Sequence, residues 1–145
     1  MTATTADRMT REQWSAGIVA SIPLTASTKI PAGVIVMVVS GTGTALNGAD
    51  TANGVCMGIS TQLVDTALGH TKCPVKRGCF WFAINGTDIT AANIGQQATI
   101  FDNQTVSLAS VTTNDVIAGE IMDVATVDGV SQALIDMRGS KIGAT

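Results

Sequence analysis

The chain has 145 residues and a formal net charge of −3, with charged residues at 13%, aromatics at 3% and no Tyr. That length suits one domain with a real core, and a hydrophobic share of 46% excludes disorder for the bulk of it. Eight Lys and Arg are scattered along the chain and form no stripe that would neutralise several phosphates, so no nucleic-acid partner is expected.

Met1 to Arg8 lacks the apolar centre of a secretory signal. The longest apolar run, Val34 to Val39, falls far short of the ~18–20 residues that span a bilayer. The expectation is therefore a protein made in a cytoplasm, with no membrane partner. Cys56, Cys73 and Cys79 are an odd number, so they cannot all pair within one chain and are expected as reduced, partly buried thiols.

In chain order, residues 1–16 stand apart. They hold Asp7, Arg8, Arg11 and Glu12, the densest charge cluster of the sequence, together with Trp14. Gln13 follows Thr10 by three residues, which allows a short capped helix, but an isolated helix of that length is marginal. The segment reads as a flexible arm that a partner would order. From residue 17 short strands take over. Ile18, Ala20, Ile22 and Leu24 alternate with Val19, Ser21 and Thr25, the period of a half-buried strand. Pro31-Ala-Gly33 is a turn, and Val34 to Val39 is apolar on both faces, which predicts a strand covered on both sides. Gly41, Gly43 and Asn47-Gly48 break it. Val55 to Ile59 and Thr61 to Val64 follow, with Leu68-Gly69-His70 as a turn. Over Cys73 to Ile84 the odd positions Cys73, Val75, Cys79, Trp81 and Ala83 share one face, and Phe80, Phe82 and Ile84 share the other. Ala98 to Phe101 and Thr105 to Leu108 flank a connection at Asp102-Asn-Gln104. Asp128-Gly129 then joins a strand over Ile121 to Val127 to one over Val130 to Met137, where both turn positions favour positive φ.

Strands spaced roughly 8–12 residues apart with turns between them indicate an all-β domain. The expected architecture is a compact β-sandwich, barrel or β-tulip-like domain over residues 17–145, with an extended N-terminal arm over 1–16.

Catalysis requires convergent acids, bases or nucleophiles. The single His, His70, follows Gly69 in a loop, where a solvated role is the ordinary one. Cys73 and Cys79 lie six residues apart on one strand, roughly 20 Å when extended, which is too far to share a metal ion, and they lack zinc-knuckle spacing. Gly41-Thr-Gly43 opens no helix and is followed by no Gly-Lys-Ser/Thr, so it is not a phosphate loop. Asn47, Asp50 and Asn53 would suit a calcium loop only with a closing Glu that is missing; Asx residues of this kind more often build turns. No catalytic residue, cofactor, metal or small-molecule substrate is expected, and the chain is read as a non-enzyme.

The rhythm of the second half resembles bacteriophage capsid decoration, or cement, proteins: the Ala91-Ala-Asn-Ile-Gly95 turn, the Asp102-Asn-Gln-Thr-Val106 step, Ile117-Ala-Gly-Glu120, Asp128-Gly129 and a last strand ending near Arg138. Lys29-Ile-Pro-Ala-Gly33 fits the same style, and the likeness spans roughly residues 17–138. The resemblance implies a virion component on the capsid exterior. It would bind the major capsid protein, commonly as a homotrimer, and stabilise the shell. In that setting Arg8, Arg11 and Trp14 are the expected capsid contacts, Trp14 as an aromatic anchor that offsets the entropy of ordering the arm. Two other readings stand beside it. A tail-tube or fibre component would show a long insertion or fibrous repeat. A carbohydrate-binding module or adhesin would expose aromatics, whereas Trp81 sits between two Phe in an apolar strand.

Overall fold

The computed structural model describes residues 2–10 and 12–139; for Glu12–Ala16, Ile18 and Val19 it describes the backbone alone. Among the described residues eleven strands follow one another: β1 (Glu12–Pro23), β2 (Lys29–Ile30), β3 (Ile35–Val39), β4 (Ala45–Asn47), β5 (Gly54–Ser60), β6 (Val64–Asp65), β7 (Lys72–Ile84), β8 (Gln97–Ile100), β9 (Thr105–Ser107), β10 (Ile117–Val127) and β11 (Val130–Asp136). Single turns of 3-10 helix at Thr66–Leu68 and Ala91–Asn93 interrupt them. The all-β class predicted from the alternation is what the chain adopts.

Of the arrangements left open by the sequence, strand pairing selects a barrel with a side sheet. β11 pairs with β10, β10 with β8 and β8 with β9, while β9 and β11 both pair with β7, so five strands close on themselves. Among the described residues only the β7–β9 pair is parallel. The first half of β7 extends beyond this ring. There it pairs with β1 and β5, and the ladder continues through β3 to the edge strand β4. β2 and β6 form a separate two-residue ladder.

Two apolar cores result, and they share a wall. The larger one gathers Phe80, Phe82 and Ile84 with Ala98, Ile100, Val106, Ile121 and Ile135. The smaller gathers Ile22, Ile30, Val34, Val36, Val64, Cys73 and Val75. Alternation explains the sharing. The odd positions Cys73 and Val75 of β7 enter the small core, and the even positions Phe80, Phe82 and Ile84 enter the large one. Around β3, Ile35 goes to the large core while Val34 and Val36 go to the small one. This is why the run from Val34 is apolar on both faces. Phe80 and Phe82 meet edge to face at 6.4 Å, and both are fully buried.

Local chemistry fixes the turns. Asp128 and Gly129 have φ of 52° and 78°, the doubly left-handed pair that the Asp-Gly signal requires for the β10–β11 hairpin. At the other end of the chain the first strand begins at Glu12, not near residue 17. Glu12, Trp14 and Ser15 lie opposite Phe80, Cys79 and Gly78 of β7, in place of the short helix that Thr10 to Trp14 allows. Register shifts within and after this segment, between Glu12 and Trp14 and across Gly17 at φ 81°, let a polar stretch follow β7 without the clean alternation that would announce a strand.

Candidate functional site

Residues 2–10 adopt no regular structure, yet they are tied to the domain along their length. The Thr4 N–H donates to Oδ1 of Asn103 at 2.8 Å, and Nδ2 of Asn103 donates to the Thr4 carbonyl at 2.9 Å. One side-chain amide thus imitates the paired bonds of a neighbouring strand. Asn103 is 1% exposed, and its second amide proton reaches Oδ1 of Asn47 at 3.0 Å. Nε2 of Gln104 donates to the Thr2 carbonyl at 2.6 Å. Further on, the Ala32 N–H donates to Oδ1 of Asp7 at 2.9 Å, and the Arg8 N–H donates back to the Ala32 carbonyl at 2.8 Å. The Thr10 hydroxyl donates to the Gly33 carbonyl. Gly33 sits at φ 76°, and a Cβ there would run into the Arg8 carbonyl oxygen, so this seat requires glycine.

The Arg8 side chain lies inward. Its guanidinium carbon stands 5.6 Å from the centre of the Phe82 ring, within cation–π range. Its Nη1 donates to Oγ1 of Thr10 at 2.7 Å and reaches the Trp81 carbonyl only at 3.5 Å. Burial lowers the Arg8 pKa, against the opposing charge of Asp102. Asp102 itself is 8% exposed. Its Oδ1 accepts the Gln104 N–H at 2.9 Å, and its buried Oδ2 has no hydrogen-bond partner among the described residues.

Of the three expected contact residues, Arg8 is thus engaged with its own domain. Arg11 and the side chain of Trp14 lie outside the described residues; the Trp14 backbone sits in β1 opposite Cys79. Among the exposed residues of the segment is one large apolar side chain, Met9, which is fully exposed. A single Met between Arg and Thr carries no periodicity, so nothing in the sequence singles it out.

The residues weighed for chemistry hold structural positions. Nδ1 of His70 accepts the Asp65 N–H at 2.9 Å. Asp50 accepts the N–H groups of Thr113 and Asn114, each at 2.8 Å; burial pushes its pKa up, but these bonds outweigh it and the net shift is downward. Asn47 donates to the Lys29 carbonyl, and Asn53 occupies a left-handed turn position at φ 60°. The cysteines are free thiols; burial pushes Cys56 and Cys73 up to about 11, which makes both poor nucleophiles at neutral pH. An open hollow of ≈ 390 Å³ is lined by Gly95, Gln97, Glu120, Asp136 and Gly139. Within it Asp136 is held by Arg138 at 2.8 Å.

Many charges are engaged inside the fold. Arg77 donates to the carbonyls of Met57 and Gly139. Asp88 accepts from Asn85 and Ser107. On the outside, Ile94, Met122 and Val130 are exposed apolar side chains. The bonds between Gly95 and Ile121 and between Ile121 and Gln96 bring Ile94 alongside Met122 on the barrel's β10 side. Comparison of the chain with protein-family models, with curated proteins and with solved structures returned no match, so function has to be argued from chemistry and geometry.

Proposed function

We propose that this chain is a structural virion protein of the capsid decoration type. On this reading it acts without catalysis, binds the outer surface of a phage shell through the major capsid protein, and does so as a homo-oligomer such as a trimer. The observation that carries the reading is the character of the surface. Charge is sparse, much of it is tied into internal hydrogen bonds, and apolar side chains stand exposed on a rigid closed barrel. A surface of that kind is suited to broad, dry packing against repeated copies, where desolvating free charges would oppose association. Several weak contacts made at once by an oligomer add through effective concentration.

The test is co-sedimentation of the purified protein with expanded and unexpanded shells from the cognate virion. Pelleting with expanded shells, at sites that form on maturation, is the expected result. A protein that remains in the supernatant with both would overturn the reading.

A further inference from the structure

The sequence holds three Asn-Gly pairs, Asn47-Gly48, Asn53-Gly54 and Asn85-Gly86, and the fold treats them differently. An asparagine followed by glycine is prone to lose its side-chain amide, because a residue without a side chain lets its backbone nitrogen reach the amide carbon. That attack needs a glycine nitrogen that is not tied down. The Gly48 N–H donates to the Ile35 carbonyl at 2.8 Å, and the Asn47 side chain is bonded at both ends, to the Lys29 carbonyl and to Asn103. The Gly54 N–H donates to the Thr51 carbonyl at 3.1 Å, and Gly54 already stands opposite Val39 in the β3–β5 ladder. Gly86 differs from both. It is exposed in the turn after β7, and its N–H has no hydrogen-bond partner among the described residues. With φ at 54°, nothing lies within 4 Å of a Cβ placed there, so the space around it is open.

The surroundings of Asn85 give such a reaction a consequence. Its Nδ2 donates to Oδ2 of Asp88 at 2.8 Å, and the Ser107 hydroxyl donates to the same oxygen at 2.7 Å. The Asn85 N–H donates to the Val106 carbonyl at 2.9 Å, beside the parallel β7–β9 pair that closes the ring. One carboxylate oxygen thus ties the turn to the end of β9. We propose that Asn85 is a site of spontaneous deamidation by water, and that its conversion loosens this tie. The Gly86 nitrogen gives up its proton and bonds to the side-chain carbonyl carbon of Asn85. The bond from that carbon to Nδ2 breaks, and Nδ2 takes up a proton and leaves as ammonia. Water then opens the five-membered imide at either carbonyl, giving aspartate or isoaspartate, with nothing oxidised or reduced. A donor facing the Asp88 carboxylate is replaced by a second carboxylate, so a hydrogen bond becomes a like-charge repulsion. Isoaspartate also lengthens the main chain of the turn. The proposal concerns the isolated protein and does not depend on a shell.

The test holds the native full-length protein in mildly alkaline buffer, which favours loss of the glycine proton. Samples are followed by ion-exchange chromatography and by peptide mapping that separates aspartate from isoaspartate. A more acidic species is expected to accumulate, carrying both products at Asn85 while Asn47 and Asn53 keep their amides. In denaturant all three are expected to convert at similar rates. A folded protein in which Asn85 keeps its amide, or in which Asn47 or Asn53 converts as fast, would overturn the proposal. So would the same selectivity in the denatured chain, since the local sequence and not the fold would then make the choice. The Asn85→Asp variant, which introduces the charge directly, is expected to lower the denaturation midpoint at neutral pH and to speed hydrogen exchange of the amide at position 85. A variant with an unchanged midpoint and unchanged exchange would show that conversion loosens nothing.

Discussion

The barrel and the side sheet are built from the same strand by different means. In the barrel, β7 is hydrogen-bonded into a closed ring and contributes two phenylalanines to a core of fifteen buried residues. In the side sheet, the other half of β7 supports an aliphatic core of eight, and the ladder ends in the three-residue edge strand β4. A closed ring has no edge to fray, whereas an open sheet keeps one. The difference teaches that rigidity is concentrated on the barrel, and that the N-terminal segment is bonded where the two regions meet, at the turn before β3 and the β8–β9 connection.

Cavity substitutions in the two cores should separate the regions most strongly. Phe80→Ala empties a fully buried site of the barrel and should cost about 3–5 kcal/mol by denaturant unfolding. Ile30→Ala, equally buried but within a two-residue ladder, should cost about 2–3 kcal/mol, since that core has more freedom to collapse. Equal losses would mean that the two cores behave alike and the contrast is false.

A smaller effect tests how the regions are joined. Asp50 lies between β4 and β5, and its carboxylate accepts N–H groups from the loop before β10, clasping the side sheet to the barrel. Its pKa is lowered overall in the fold, so its stabilisation is complete above the unfolded value near ~3.9 and is lost as pH falls through the folded value. Asp50→Asn should cost about 1 kcal/mol at neutral pH. The gap from the native chain should narrow in acid; a gap that is constant with pH would show that the charge is not what clasps the loops.

The smallest effect on stability should come from the exposed apolar side chains. The double substitution Met122→Ser/Val130→Ser changes two side chains on the exposed surface and should change unfolding by only about 0.5 kcal/mol, while weakening shell binding measurably. A large loss of stability would mean that these residues belong to the fold and not to its outer surface.

Much of this architecture was legible in the sequence because it depends on short-range rules. The Asp128-Gly129 pair, the two-faced run from Val34 and the alternation from Cys73 to Ile84 each state their own geometry. What stayed hidden depends on distant partners. The parallel pairing of β7 with β9 leaves no local trace. Glu12 to Ser15 carries no alternating pattern and is a strand because β7 lies beside it. The segment at residues 2–10 has polarity that suggests an arm, and only the fold brings Asn103, about a hundred positions away, to Thr4. For Arg8, the sequence advertised a charge for a partner, and the structure places it over Phe82.

On the proposed reading this protein works by broad packing of a weakly charged surface on a shell. The most direct test is the affinity of the native protein for expanded shells as ionic strength is raised. Binding is expected to change little, because few free charges are screened. Affinity that collapses with added salt would mean that charge carries the contact, and would contradict it.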